Sequence, residues 1–301
     1  MKVTPLPDVP LHPEGEPRTR RVAIGTFDGV HIGHRAVIKG ADTVLTFDPH
    51  PLAVIHPEAL PKLLDSPRIK RDLIAGLGVD ELVVIPFDES FAAMEAEEFI
   101  EEILVKRLGA AEVSVGENFR FGKKARGDAE MLMAHPEFQT GVVPLVELDG
   151  ETVSSTRIRA LVAAGDVVNG ARCLGGPFLV EGEVVGGDER GRVLGFPTAN
   201  IVPDDALAHP GHGVYAAWAH GHPAAVNVGV RPTFETGRGL LIEAYLIDFD
   251  ADLYGETLRV AFVERLRGER RFDSSEELVA QMKRDVEEVR RICAAGTVPG
   301  R

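Results

Sequence analysis

Short apolar runs and amphipathic stretches alternate along the first half of the chain. Arg21–Ile24, Thr43–Phe47, Glu81–Pro86, Glu112–Val115 and Gly141–Val146 read as strands, with helical patterns between them. The clearest helix spans Glu95–Leu108, where Phe99, Ile103 and Leu104 share a face and Gly109 stands at the expected stop. Strand–helix alternation predicts a parallel sheet covered on both faces. From Pro177 to Phe262 the strands come close together with turn signals between them. Val180–Val185, Gly213–Trp218, Ala224–Val228, Leu240–Ile247 and Thr257–Phe262 predict a small closed or nearly closed antiparallel barrel. A final helix begins near Ser274, which forms a capping box with Glu277. Its stripe of Leu278, Met282, Val286, Val289 and Cys293 is expected to be core packed on the barrel, not a cofactor box.

The pattern changes between Ala164 and Pro177, where Gly165, Asn169-Gly170 and Gly175-Gly176-Pro177 punctuate the chain. The expected division is an α/β domain over 1–172 and a β domain over 173–301. A chain of 301 residues can bury a core in each. No apolar run approaches the roughly 20 residues of a membrane helix, and the proline-rich N-terminus lacks a signal-peptide core. A cytoplasmic protein without membrane contact is expected. Its two cysteines, Cys173 and Cys293, lie far apart and suit reduced, buried thiols. The net charge of −14 disfavours a nucleic-acid partner, because phosphate neutralisation carries most of such binding. Nucleotide substrates need only a few local donors.

Gly25-Thr26-Phe27-Asp28-Gly29-Val30-His31-Ile32-Gly33-His34 follows the first expected strand directly. The segment ends in HxGH, which puts two imidazoles on one face of a helix start, beside free N–H groups and the positive dipole end. That arrangement suits a phosphate gaining negative charge, and Gly33 would let a nucleotide approach the backbone. Two exposed histidines on an ordinary strand–turn–helix is the alternative. Ser154-Ser155-Thr156-Arg157-Ile158-Arg159 offers hydroxyls and guanidinium groups at another helix start. Taken alone it is also an ordinary N-cap.

In the second half, Gly187 to Asn200 is glycine-dense and ends Pro197-Thr198-Ala199-Asn200. Such a loop can wrap phosphates with backbone N–H groups, and Thr198 and Asn200 offer neutral oxygens to Mg²⁺. A glycine-rich hairpin is the alternative, and no Walker A pattern is present. Glu243 is an acid within an apolar strand, either facing outward or positioned as a general base. Burial habits alone favour the outward face. His209, His212, His220 and His222 sit in turns and read as solvated loop histidines rather than a zinc site.

The ordered set of GTFDGVHIGH, Thr46-Phe47-Asp48-Pro49-His50-Pro51, Val115 to Gly122 and SSTRIR resembles the bacterial bifunctional riboflavin kinase/FAD synthetases. So do LGFPTANI, Gly213-Val214-Tyr215, Asn227 to Phe234, Asp252-Leu253-Tyr254-Gly255 and Leu266 to Phe272. These motifs span Gly25 to Phe272, and their fixed order makes weak patterns jointly strong. The resemblance implies a Rossmann-like nucleotidyltransferase domain followed by a riboflavin kinase barrel. It implies ATP as co-substrate in both steps, Mg²⁺ as cofactor, and riboflavin, FMN and FAD as substrates and products. It assigns His31 and His34 to ATP phosphates, within a nucleotide segment that includes Gly25, Phe27 and Asp28. Asn118 goes to the flavin side, and Ser155, Thr156 and a catalytic Arg159 to the triphosphate. In the second domain it gives Gly187, Arg192 and Gly195 to the nucleotide loop, Thr198 and Asn200 to metal and phosphate, Glu243 to the base, and Arg267 to nucleotide or flavin.

Two departures from the family stand out. Thr26 occupies a position that is usually Asn, and only Arg35–Thr43 separates HxGH from the next strand core. A parallel crossover needs about a dozen residues, so the first helix must be short. Other readings are a riboflavin kinase with an impaired first domain, a flavin-binding regulator, or an HxGH enzyme acting on tRNA. His31, His34 and Glu243 argue against the regulator, and the charge argues against tRNA.

Overall fold

The computed structural model describes residues 1–186, 194–230 and 240–295. The chain forms two compact units, Met1–Pro61 with Ser66–Ser154, and Lys62–Asp65 with Ser155–Arg301.

The first unit is built on a six-stranded sheet whose pairings are all parallel. Its strands are β1 (Lys2–Pro5), β2 (Arg20–Ile24), β3 (Thr43–Asp48), β4 (Glu81–Pro86), β5 (Ala110–Gly116) and β6 (Gln139–Val143), in the order β1-β4-β3-β2-β5-β6. The sequence pattern anticipates β2 to β6. It misses β1, a four-residue edge strand where proline is tolerated. Glu81 anchors that edge by accepting from Lys2 Nζ at 3.0 Å and Thr4 Oγ1 at 2.6 Å. β6 stops at Val143 because Pro144 has no N–H for the ladder.

Helix α1 (Ile32–Ile38) is only seven residues long, as the short crossover requires. Helix α2 (Pro67–Ala75) starts on Ser66, whose Oγ accepts from Ile69 N. The stretch expected as an ordinary helix winds as a π-helix over Phe99–Arg107. Its wider turn puts residues i, i+4 and i+5 on one face, so Phe99, Ile103 and Leu104 are still buried together. Gly109, at φ 58°, ends it as expected.

In the second unit, α3 (Ser155–Ala163) and α4 (Val167–Leu174) precede the barrel, and α4 packs on two of its strands. Gly175 closes α4 in the left-handed conformation. The compact units therefore part at Ser154/Ser155, eighteen residues before the 172/173 division expected from the pattern. The barrel strands are β7 (Phe178–Val185), β8 (Ala199–Pro203), β9 (Gly213–Ala219), β10 (His222–Val230), β11 (Leu240–Leu246) and β12 (Thr257–Arg267). They close in the order β7-β8-β11-β10-β9-β12, every pairing antiparallel. β8 was not expected, because it begins inside the Pro-Thr-Ala-Asn motif and is bounded by prolines.

Alternation sorts each barrel strand into two faces. On β11, Ile242 and Ala244 are fully buried, whereas Glu243 and Tyr245 are half-buried. Tyr215 and Phe262 meet edge-to-face inside the barrel, with ring centroids 5.3 Å apart. The opposite face of β9, β10 and β12 is covered by α5 (Ser275–Ala295).

Candidate active sites

In a doubly wound sheet, ligands bind beyond the carboxyl ends of the strands where the strand order reverses. Here β3 and β4 extend to one side of β2, and β5 and β6 to the other. The turn from β2 into α1 carries HxGH, and the loop after β5 carries Asn118. The fold thus puts both motifs at the strand ends of one switch point.

The β2–α1 turn is strained. Phe27 and Val30 have φ of 49° and 39°, a region costly for residues with a Cβ. Both side chains are buried, and that packing holds the turn in place. Gly25 is required because a Cβ there would stand 2.9 Å from the Phe27 ring. At Gly33 the packing gives a reason of its own for glycine: a Cβ would press on the His31 ring at 3.1 Å.

His31 is the N-cap of α1, its Nδ1 accepting from His34 N at 3.2 Å. With Nδ1 engaged as acceptor, the neutral ring carries its proton on Nε2. The two imidazoles stack with centroids 3.5 Å apart and planes 17° apart, and Phe27 meets His34 edge-on. Burial pushes His31 down from 6.5 to about 4. Burial, then the charges of His31 and Lys70, hold His34 well below its ordinary value. Near neutral pH both rings are therefore uncharged donors. Lys70, on α2, donates from Nζ to Thr26 O at 2.9 Å, and Thr46 Oγ1 reaches the same carbonyl at 3.4 Å. Asp28 is buried in the turn, whereas Asn118 is exposed.

Lys70 was missed by sequence reasoning, since its motif value appears only when α2 folds against the turn. A run of ring contacts was also missed: Phe47–Phe87, Phe87–Phe91, Phe91–Phe99, Phe99–Phe121 and Phe121–Phe119. Phe47, Phe91 and Phe119 remain partly open, at the end of β3, in the short helix Glu89–Ala92 after β4, and in the loop after β5. Ser155, Thr156 and Arg159 begin α3 in the second unit, with Arg159 donating to Thr156 Oγ1 at 3.4 Å.

The barrel's register assembles the other constellation. Val185 pairs with Asn200, Asn200 with Glu243, Glu243 with Asn227, Asn227 with Val214, and Val214 with Arg267. This single cross-strand row runs around all six strands. Part of it lines a cavity of about 340 Å³ between the barrel's outer face and α5, within the range of small-molecule sites. Thr198, Asn227, Glu243 and Arg267 supply polar groups there, and Phe196 and Tyr245 supply aromatic walls.

Glu243 therefore does face outward from the barrel, as its strand pattern suggests. The helix covers it, so outward does not mean solvated. Leu278, Met282 and Val286 line the same cavity. The stripe expected as core divides: Val289 and Cys293 are buried against the barrel, while its N-terminal half roofs the cavity. Periodicity identifies a shared face but not whether that face meets protein or a void.

Arg267 lines the cavity with its guanidinium already committed to Asp285, at 2.8 Å from Nη2 and 3.2 Å from Nε. Gln281 also donates to Asp285 at 2.8 Å. Asn200 is buried, Thr198 is half-buried, and Gly195 has a φ of 84° that favours glycine. Gly187 and Arg192 lie outside the described residues. Both cysteines are free and buried. His222 Nδ1 contacts Ile247 O, and among the described residues no cluster of His, Cys, Asp and Glu could hold a metal ion.

A histidine pair at a sheet's switch point, followed by a covered barrel with an acid on its ligand face, defines a two-domain enzyme class that handles nucleotides and a second, partly apolar substrate. The FAD synthetase family matches residues 14–157, and the riboflavin kinase family matches residues 174–293. The bifunctional riboflavin kinase/FMN adenylyltransferase of Escherichia coli strain K12 is 38% identical over 282 residues, covering 88% of this chain and 90% of that one. Its Bacillus subtilis strain 168 counterpart is 34% identical over 287 residues, covering 89% and 90%. A crystal structure of a Streptococcus pneumoniae protein named for macrolide efflux superposes with a TM-score of 0.84 at 32% identity, covering 96% of this chain and 99% of that one. Efflux is that protein's name alone; among the described residues here no helix is long and apolar enough to cross a membrane. The chain belongs to the bifunctional riboflavin kinase/FMN adenylyltransferase family.

Proposed function

We infer that this chain phosphorylates riboflavin to FMN and adenylylates FMN to FAD, with ATP as co-substrate in both steps. The observation that carries the kinase half is the register row that puts Asn200, Glu243 and Asn227 side by side on the face under α5. Thr198 stands on the same cavity. Glu243 takes the proton from riboflavin's terminal hydroxyl, whose oxygen bonds to the γ-phosphorus as the bond to ADP breaks. Phe196, Tyr245, Leu278 and Met282 hold the flavin ring.

Mg²⁺ fits this donor set as an ion that arrives with ATP. Thr198 and Asn200 give neutral oxygens, and a hard cation of this kind keeps waters and takes phosphate oxygens. Bound there, it neutralises charge on the transferring phosphate. Arg267 shapes the cavity wall through its pairing with Asp285 rather than as a free cation.

For adenylyl transfer, an FMN phosphate oxygen attacks the α-phosphorus of ATP and pyrophosphate leaves. His31 and His34 donate to the phosphate oxygens as charge builds, and Lys70 supplies a cation beside them. Asn118 and the open phenylalanine edges face the flavin. By resemblance to the family, Ser155, Thr156 and Arg159 are assigned to the triphosphate, and Gly187, Arg192 and Gly195 to the kinase nucleotide. The domain division at 172/173 stays as the proposed functional boundary, with α3 and α4 joining the two activities.

The test is a crossed assay on the full chain. His31→Ala is expected to slow FMN adenylylation about 10²–10³-fold while riboflavin phosphorylation continues. Glu243→Gln is expected to slow phosphorylation about 10²–10⁴-fold while supplied FMN is still adenylylated. A His31→Ala enzyme that stops making FMN would reverse the assignment of halves.

A further inference from the structure

A general base needs a fixed carboxylate as well as a proton-accepting one. β10 and β11 set Asn227 directly opposite Glu243, and Asn227 Nδ2 donates to Glu243 Oε2 at 3.2 Å. Among the described residues, Asn227 is the one side chain that hydrogen-bonds this carboxylate. A second acid stands near the same amide. A Cβ at Gly229 would lie 2.7 Å from Glu269 Oε1 and 3.5 Å from Asn227 Nδ2. Glu269 lines the same cavity as Glu243. Gly229 thus makes room for an acid beside the Asn227 amide.

The residue type suits this place. A Lys or Arg opposite Glu243 would orient the carboxylate but would also neutralise it, and its proton affinity would fall. An Asp would add a fourth acid to a cavity already lined by Glu243, Glu269 and Asp285. An apolar residue would leave the Glu243 carboxylate without a side-chain donor to fix its orientation. The neutral amide directs Oε2 at modest electrostatic cost and leaves Oε1 for the substrate hydroxyl.

We propose that Asn227 is a positioning residue of the kinase reaction, holding Glu243 Oε2 so that Oε1 faces the alcohol to be phosphorylated. The proposal rests on the reading of Glu243 as the base. Small misplacements of a reacting group cost rate out of proportion to their size, up to about 10²-fold for 1 Å. The loss should therefore appear in kcat.

The experiment is a double-mutant cycle on the full chain with riboflavin, ATP and Mg²⁺, comparing wild type, Asn227→Leu, Glu243→Gln and the double variant. Asn227→Leu is expected to lower kcat about 10- to 10²-fold, with KM for riboflavin and ATP held within about twofold. In the Glu243→Gln background the same change is expected to cost nothing further, because there is no base left to position. A purely structural role would multiply its loss in both backgrounds, and that outcome overturns the proposal. Asn227→Asp keeps the shape while removing the Nδ2 donor, so it tests the bond if the leucine variant does not fold. An aspartate variant at the wild-type rate overturns the proposal too. The two readings fail separately. A fast Glu243→Gln enzyme removes the base and with it the need for a positioner, whereas a slow Glu243→Gln with a fast Asn227→Leu removes Asn227 alone.

Discussion

The stacked histidines make the first unit acid-sensitive in a calculable way. His31 titrates near 4 in the folded chain, against 6.5 when exposed, because its burial disfavours the charged ring. Above pH 6.5 the ring is neutral in both states and the shift costs nothing. Between pH 6.5 and 4 the unfolded chain binds the proton and the folded chain does not, so stability falls as pH falls. Below 4 both states are protonated and the loss is complete. Each pH unit inside that window costs about 1.4 kcal/mol, and pH 5 lies about 1.5 units into it, so His31 removes about 2 kcal/mol there. His31→Asn isolates this effect, since Asn is a strong N-cap and can still accept from His34 N. Urea unfolding at pH 7 and pH 5, followed by far-UV circular dichroism, should show wild type losing about 2 kcal/mol more than the variant. Trp218, the single tryptophan, lies on β9 and reports the second unit, whose transition should not differ between the two proteins. Equal pH losses in wild type and His31→Asn would refute the claim that the ring is held neutral by burial.

Two further outcomes follow from the sites. Thr198→Ala should raise the Mg²⁺ and ATP concentrations needed for FMN formation, with the urea midpoint of Trp218 fluorescence little changed; an unaltered Mg²⁺ and ATP dependence would take Thr198 out of the site. Lys70→Met should slow FMN adenylylation about 10²-fold through loss of the cation at the β2–α1 turn, with riboflavin phosphorylation unaffected. Unimpaired FAD formation from FMN would assign Lys70 to the surface.

The parts legible in the sequence are those whose chemistry is contiguous. HxGH declares itself because a strand, a turn and a helix start follow one another within His31–His34 and the residues before it. The short α1 was likewise readable by counting residues between strands. What the sequence hid is what pairing creates. Asn227 and Glu243 are sixteen positions apart, and only the antiparallel register makes them neighbours. Lys70 is far along the chain from Thr26 and meets it only when α2 packs beside the turn. Leu278 and Met282 share the period of Val289 and Cys293, so no sequence rule could tell roof from core. β1 and β8 were lost to proline, which marks loops more often than edge or bounded strands.

Under the proposed assignment of residues, the two sites differ in charge because their nucleophiles differ. Riboflavin offers an alcohol, which keeps its proton at neutral pH and attacks only as an acceptor removes it. A carboxylate must therefore stand at the barrel site, oriented but not neutralised, and an amide partner such as Asn227 meets both conditions. FMN offers a phosphate already carrying about −1.5 to −2 charge at pH 7, so its attack needs no base. The demand at the other site is for donors that strengthen as charge gathers on the phosphate. A cationic histidine pair would bind the triphosphate tightly before reaction, and that binding would not lower the barrier. Neutral imidazoles, kept so by burial in the β2–α1 turn, gain most from the extra charge of the transition state. With His31 and His34 acting on phosphate as proposed, burial that looks wasteful for polar rings is the means by which the first unit reserves its interaction for the reacting phosphate.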